Sequence, residues 1–137
     1  MNTRPLLDQE AFLSLQDLLQ NQDARPLPSG EQRQALARWV DEALVTFDAV
    51  ELEDRVELHD RVTLVSPSDP ADWFELEIVP PSEADIDRDL IPVTSAVSLA
   101  VLGRRVGERA TWETQAGARV MTIASLVKKR QAVGSRG

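Results

Sequence analysis

The spacing of apolar residues changes period near Asp48, and this change most narrows what the chain can build. Before it, Leu7, Ala11, Leu15, Leu18 and Leu19 recur at helical intervals. Leu36, Val40, Ala43, Leu44 and Phe47 do the same, with Trp39 at the edge of their stripe. After Asp48 apolar and polar residues alternate, as in strands with one solvated face. The expectation is an α+β chain: a short antiparallel helical hairpin over residues 1–50 and a β-rich domain over 51–137.

The helices are expected over residues 8–21 and 31–48. Pro26, Pro28 and Gly30 interrupt them, and Ser29 followed by Gln32 forms a capping box for the second. Neither helix can bury its stripe alone. They either pair as a hairpin or pack on the later domain in one fused core, and their narrow stripes favour the hairpin. Strands are expected at 56–58, 61–65, 73–79 and 90–93, with a closing hairpin of 111–115 and 118–127 around Gly117. One short apolar helix interrupts them, with Ser95 as its N-cap, residues 96–102 as its body and Gly103 as a left-handed stop.

A length of 137 residues holds one ordinary domain, or a small domain with an appendage. The absence of cysteine excludes disulfides, zinc ribbons and thiol chemistry, and fits a reducing compartment. No apolar run reaches the roughly 18 residues that span a bilayer, and residues 1–8 lack a signal-peptide core. A soluble, cytoplasmic chain without membrane contact is expected. The net charge is −8, with acids crowded into 48–60 and 69–89, which disfavours direct nucleic-acid binding. The basic residues come late: Arg104, Arg105 and Arg109, then Lys128, Lys129, Arg130 and Arg136. From about Lys128 they read as a solvated, frayed tail, with a basic patch for an acidic partner as the other reading.

No enzyme signature emerges, and no catalytic residue, cofactor or metal site is expected. His59 is the only histidine, stands in no nucleophile motif, and reads as a surface or interdomain residue. Asp85, Asp87 and Asp89 alternate as in a calcium loop, but Leu90 and Ala96 stand where that loop needs glycine and glutamate. A polar turn is the simpler reading. Gly103 and Gly107 lack the lysine and strand–helix frame of a phosphate loop. Of the three tryptophans, Trp112 is expected in the core and Trp73 at the surface, where it could anchor an interface.

The run from Glu83 to Glu108 resembles the C-terminal domain of the Gre transcription factors. Glu83, Ala84 and Asp85 match the opening of that family's pattern, and Val93, Thr94 and Ser95 match its strand end. Ala100, Leu102, Gly103, Val106 and Gly107 match the remainder, and the flanking strands keep the family's spacing over about residues 60–130. The resemblance implies an FKBP-like fold that docks on RNA polymerase at the rim of the secondary channel, on a coiled coil of the β′ subunit. The strand-to-helix corner takes part in that contact, which carries over to Thr94, Ser95, Ala96, Val97 and Leu99. Ala96 replaces the family's usual proline and Ser98 its usual glycine.

Gre factors thread a long coiled coil into the channel, where acids at its tip position magnesium for transcript cleavage. Here a first helix of about 14 residues would reach only ~21 Å. The tip, residues 22–30, offers the single acid Asp23 beside Arg25, and one carboxylate holds Mg²⁺ weakly. The short hairpin instead resembles that of the Rnk proteins, named as regulators of nucleoside diphosphate kinase. The resemblance thus implies a non-enzymatic polymerase-binding regulator that docks without stimulating cleavage. A cleavage factor using Asp23 and an FKBP-like prolyl isomerase or chaperone are the alternatives.

Overall fold

In the computed structural model, residues 4–20 and 28–129 are described. They form β1 (Leu6–Asp8), α1 (Gln9–Gln20), α2 (Gly30–Glu42), β2 (Leu44–Thr46), β3 (Arg61–Ser66), β4 (Asp69–Val79), β5 (Leu90–Pro92), α3 (Ala96–Val101), β6 (Arg109–Thr114) and β7 (Gly117–Val127). Among these residues no helix is long and apolar enough to cross a membrane.

Both N-terminal helices start on local chemistry. Asp8 Oδ1 accepts from the Ala11 amide at 2.8 Å, placing a carboxylate at the positive end of α1. The capping box on α2 forms as its spacing predicts: Ser29 Oγ accepts from the Gln32 amide at 3.1 Å, and Gln32 Oε1 accepts from the Ser29 amide at 2.9 Å.

The end of α2 departs from expectation. Instead of running to Asp48, the helix stops at Glu42, and Leu44–Thr46 lies parallel to Leu6–Asp8, with Leu6 opposite Leu44 and Asp8 opposite Thr46. The Leu44 amide donates to the Pro5 carbonyl at 2.8 Å. Val45 and Thr46 are β-branched, and the pairing satisfies backbone groups in both segments. Leu7 therefore enters the core from a strand, while Leu44 and Phe47 leave the apolar stripe and become exposed.

The two N-terminal helices pack on each other and on the rest of the chain. Leu15, Leu36 and Trp39 belong to the same buried cluster as Val62, Leu64, Leu76, Ile78, Val101, Leu102, Met121 and Ile123. The fused core, and not a hairpin sealed on itself, buries their stripes; Trp39 is inside rather than at an edge. This is the outcome favoured by the area rule, since two narrow stripes bury more apolar surface against a sheet than against each other alone.

The larger sheet has the order β5-β4-β3-β7-β6, antiparallel throughout except for the β4–β5 pair. Along β4, Leu76 and Ile78 face inward while Trp73 is 56% exposed, as the alternation predicts. Residues 56–58 are not a strand. Val56 instead exchanges backbone hydrogen bonds at 2.9 Å with Arg104 and Gly103, fastening an irregular segment under the end of α3.

Lys128 corrects the reading of a frayed tail. It is 8% exposed, and its Nζ lies 2.6 Å from Asp60 Oδ2 and 2.7 Å from Glu57 Oε2. It also donates to the carbonyls of Arg55 and Leu52, at 2.7 and 3.2 Å. Asp60 Oδ1 accepts from the Lys129 amide at 3.0 Å. Two of the acids assigned to a repulsive surface are thus buried and compensated, as ions in an interior must be. Arg130 and Arg136 lie outside the described residues.

Candidate functional site

The strand-to-helix corner is held by backbone hydrogen bonds and by one serine cap. Val93 N donates to Val79 O at 2.8 Å, holding the end of β5 against β4, and Ser95 N donates to Pro92 O at 3.0 Å to close the turn. Ser95 then caps α3: its Oγ accepts from the Ser98 amide at 3.3 Å and donates to Ser98 Oγ at 2.9 Å. The cap fixes the first turn of α3, so whatever that turn presents is presented rigidly.

The five residues singled out at this corner do not all face outward. Ala96 is exposed, and Ser95 and Val97 are half-buried. Thr94 and Leu99 are buried, 5% and 8% exposed, and shape the corner from within. The two departures from the family's pattern are both accommodated. Ala96 occupies the first helical position, where proline is tolerated but not required. Ser98 is fully buried and is held by the Ser95 hydroxyl.

Beside the corner lies an open groove of about 470 Å³ between α2, α3 and β6. Arg38, Trp39 and Glu42 line it from one side, and Ala96, Ala100, Arg104 and Trp112 from the other. Burial pushes the Arg104 guanidinium down from its ordinary pKa, against the opposing influence of Glu108 and Glu42. Sequence periodicity missed this groove because it joins residues from two helices and an edge strand. The only advance signal was the apolar–aromatic edge of the second helix.

Gly103 joins three parts of the chain. Its φ of 77° is left-handed, and a Cβ there would sit 2.8 Å from the Leu6 nitrogen. Its carbonyl accepts from the Leu6 amide at 3.1 Å and from Arg55 Nη1 at 3.0 Å. The helix stop predicted from sequence is therefore also a point where β1 is fastened to the end of α3.

The remaining candidates are placed as follows. His59 lies at the surface, as expected, with Nε2 3.0 Å from Glu83 Oε1. Asp85, Asp87 and Asp89 form a polar turn, in which Asp85 Oδ1 accepts from the Asp87 amide at 3.2 Å and Asp89 takes a left-handed φ of 59°. Trp112 is half-buried against the core. The tip residues Asp23 and Arg25 lie outside the described residues.

Two short helices fused to a curled, mainly antiparallel sheet with one capped corner helix define an α+β architecture of the kind found in bacterial transcription elongation factors. Residues 51–127, more than half of the chain, match the family model for transcription elongation factor GreA/GreB, C-terminal domain, and the chain belongs to that family. Among solved structures it is similar to the prokaryotic transcription elongation factor GreA/GreB from Nitrosomonas europaea. That match is 20% identical with a TM-score of 0.69, covering 91% of this chain and 98% of the other. It is also similar to Gfh1 from Thermus aquaticus, 22% identical with a TM-score of 0.51, covering 88% and 84% of the two chains. Both likenesses are of fold and take in the N-terminal helices as well as the sheet. No match was found among curated proteins.

Proposed function

We propose that this protein docks on RNA polymerase through the exposed face of its strand-to-helix corner, Ser95 to Val97, at the rim of the secondary channel. Its short helices then occupy the channel mouth without stimulating transcript cleavage, as a Rnk-like member of the family acting in the cytoplasm. The observation that carries this reading is the corner itself. It is a rigid, capped and partly exposed turn inside the segment that matches the family model. Thr94 and Leu99 contribute by holding its shape. The helices support the non-cleaving part of the reading: with 12 and 13 residues, they extend only ~18–20 Å at 1.5 Å per residue.

The test is a pull-down with core polymerase, intact and lacking the β′ coiled coil. Binding that is lost only when the coiled coil is deleted supports the proposal, and no binding to either form overturns it. Cleavage is assayed separately in stalled elongation complexes. Transcript cleavage that disappears with Asp23→Ala would reverse the non-cleaving assignment while leaving docking intact.

A further inference from the structure

A second surface, distinct from the corner residues, is apolar and exposed. Along β2, the link after it and the 3-10 turn that follows (Ala49–Leu52), four large exposed apolar side chains fall within seven residues. Phe47 is 83% and Val50 67% exposed, and Leu44 and Val45, on opposite faces of β2, are 42% and 38% exposed. Single exposed apolar residues are ordinary, but a contiguous group marks a contact surface. The backbone reinforces this, because among the described residues β2 pairs with β1 alone and no strand covers its other edge.

Phe47 also forms one wall of a cleft of about 290 Å³, lined by Asp8, Gln9, Glu10, Thr46, Ala49 and Leu52. Small-molecule sites usually occupy roughly 300–1,000 Å³, so this cleft suits one inserted side chain better than a free metabolite. The chain leading into and out of the ledge is acidic. Residues 41–54 carry Asp41, Glu42, Asp48, Glu51, Glu53 and Asp54 and no lysine or arginine, and Asp8 and Glu10 add two carboxylates in the cleft. Within this rim Arg105 Nε meets Asp54 at 3.3 Å, and Arg4 donates to the Glu42 carbonyl. Among the described residues no ion pair engages Asp8 or Glu10; Lys129, which lines a neighbouring cleft with both, donates to the Leu58 carbonyl at 3.1 Å.

We infer that the Phe47 ledge docks a protein segment that places an apolar side chain in the cleft and a neighbouring lysine or arginine on its acidic rim. A second copy of this chain fits poorly, because it would bring two acidic rims together.

A phage-displayed library of random dodecapeptides, selected on the intact protein, tests this without presupposing the partner. Peptides pairing a large apolar residue with an adjacent lysine or arginine are expected. Their binding should weaken at least about tenfold with Phe47→Asp and several-fold with Glu10→Lys, and should fall as salt rises. Both substitutions are at exposed positions, and circular dichroism and the unfolding midpoint confirm that the variants fold. Failure to select any binder, selection of peptides without the basic residue, or binding indifferent to Phe47→Asp each overturns the inference. So does sedimentation showing a dimer that Phe47→Asp dissolves.

Discussion

The Lys128 cluster and the Arg119–Asp72 pair set a cation against carboxylates in opposite surroundings. Lys128, Asp60 and Glu57 are buried, the side chain of Asp60 completely. Arg119 Nη2 meets Asp72 Oδ1 and Oδ2 at 3.0 and 3.2 Å where water still reaches them, with side chains 38% and 44% exposed, and lies 5.9 Å from the Phe74 ring centroid. Distances alone would rank the two contacts as similar. Surroundings separate them: water screens one pair and competes for it, while the other has only its partners to replace lost hydration. The buried cluster ties the end of β7 to the segment leading into β3, so it controls the closure of the domain. The surface pair decorates a strand already held by its ladder.

Removing one member of each set breaks this contrast most directly. Lys128→Met leaves two buried carboxylates uncompensated and is expected to cost about 3–5 kcal/mol in urea unfolding. Replacing Asp60 as well, by asparagine, should recover part of that loss. A loss below about 1 kcal/mol for Lys128→Met would show that water reaches the cluster and that the contrast is false. Gly103→Ala comes next, since a left-handed alanine costs about 1–2 kcal/mol, before its Cβ meets the Leu6 backbone at 2.8 Å. Faster hydrogen exchange at the Leu6 amide is the local sign of it. Ser95→Ala removes the cap of α3 and is expected to cost about 1 kcal/mol. Polymerase binding measured with this variant separates the rigidity of the corner from its mere presence. Arg119→Ala closes the series at under about 1 kcal/mol. Half-molar salt should erase that difference and leave the Lys128→Met deficit almost unchanged.

Features written within a few residues were legible before the structure. The Ser29–Gln32 capping box, the Ser95 cap, the left-handed stop at Gly103 and the turn at Gly117 all formed where their side chains or missing Cβ demand. Features set by distant partners were not. Nothing near Leu44 says that the helix ends there, because the strand it joins is at Leu6. Nothing near Lys128 says that it is buried, because its carboxylate partner stands 68 residues earlier. The position of the candidate corner was readable from the 83–108 run. The burial of Thr94 and Leu99 was not, since one and a half turns of apolar helix do not reveal which side meets the sheet. Phe47, counted among core residues by its spacing, lies outside once β2 replaces the end of α2.

The Lys128 contacts also set an order of events on the ribosome. Asp60 and Glu57 are synthesised well before the cation that permits their burial. At about 5–20 residues per second, the 68 residues separating Asp60 from Lys128 take roughly 3–14 s to translate. Through that interval β3 lacks its neighbour β7 as well, so the nascent domain holds an open strand edge beside unneutralised carboxylates. Closure of the domain therefore waits for β7 and Lys128, which complete the sheet beside β3 and neutralise those acids.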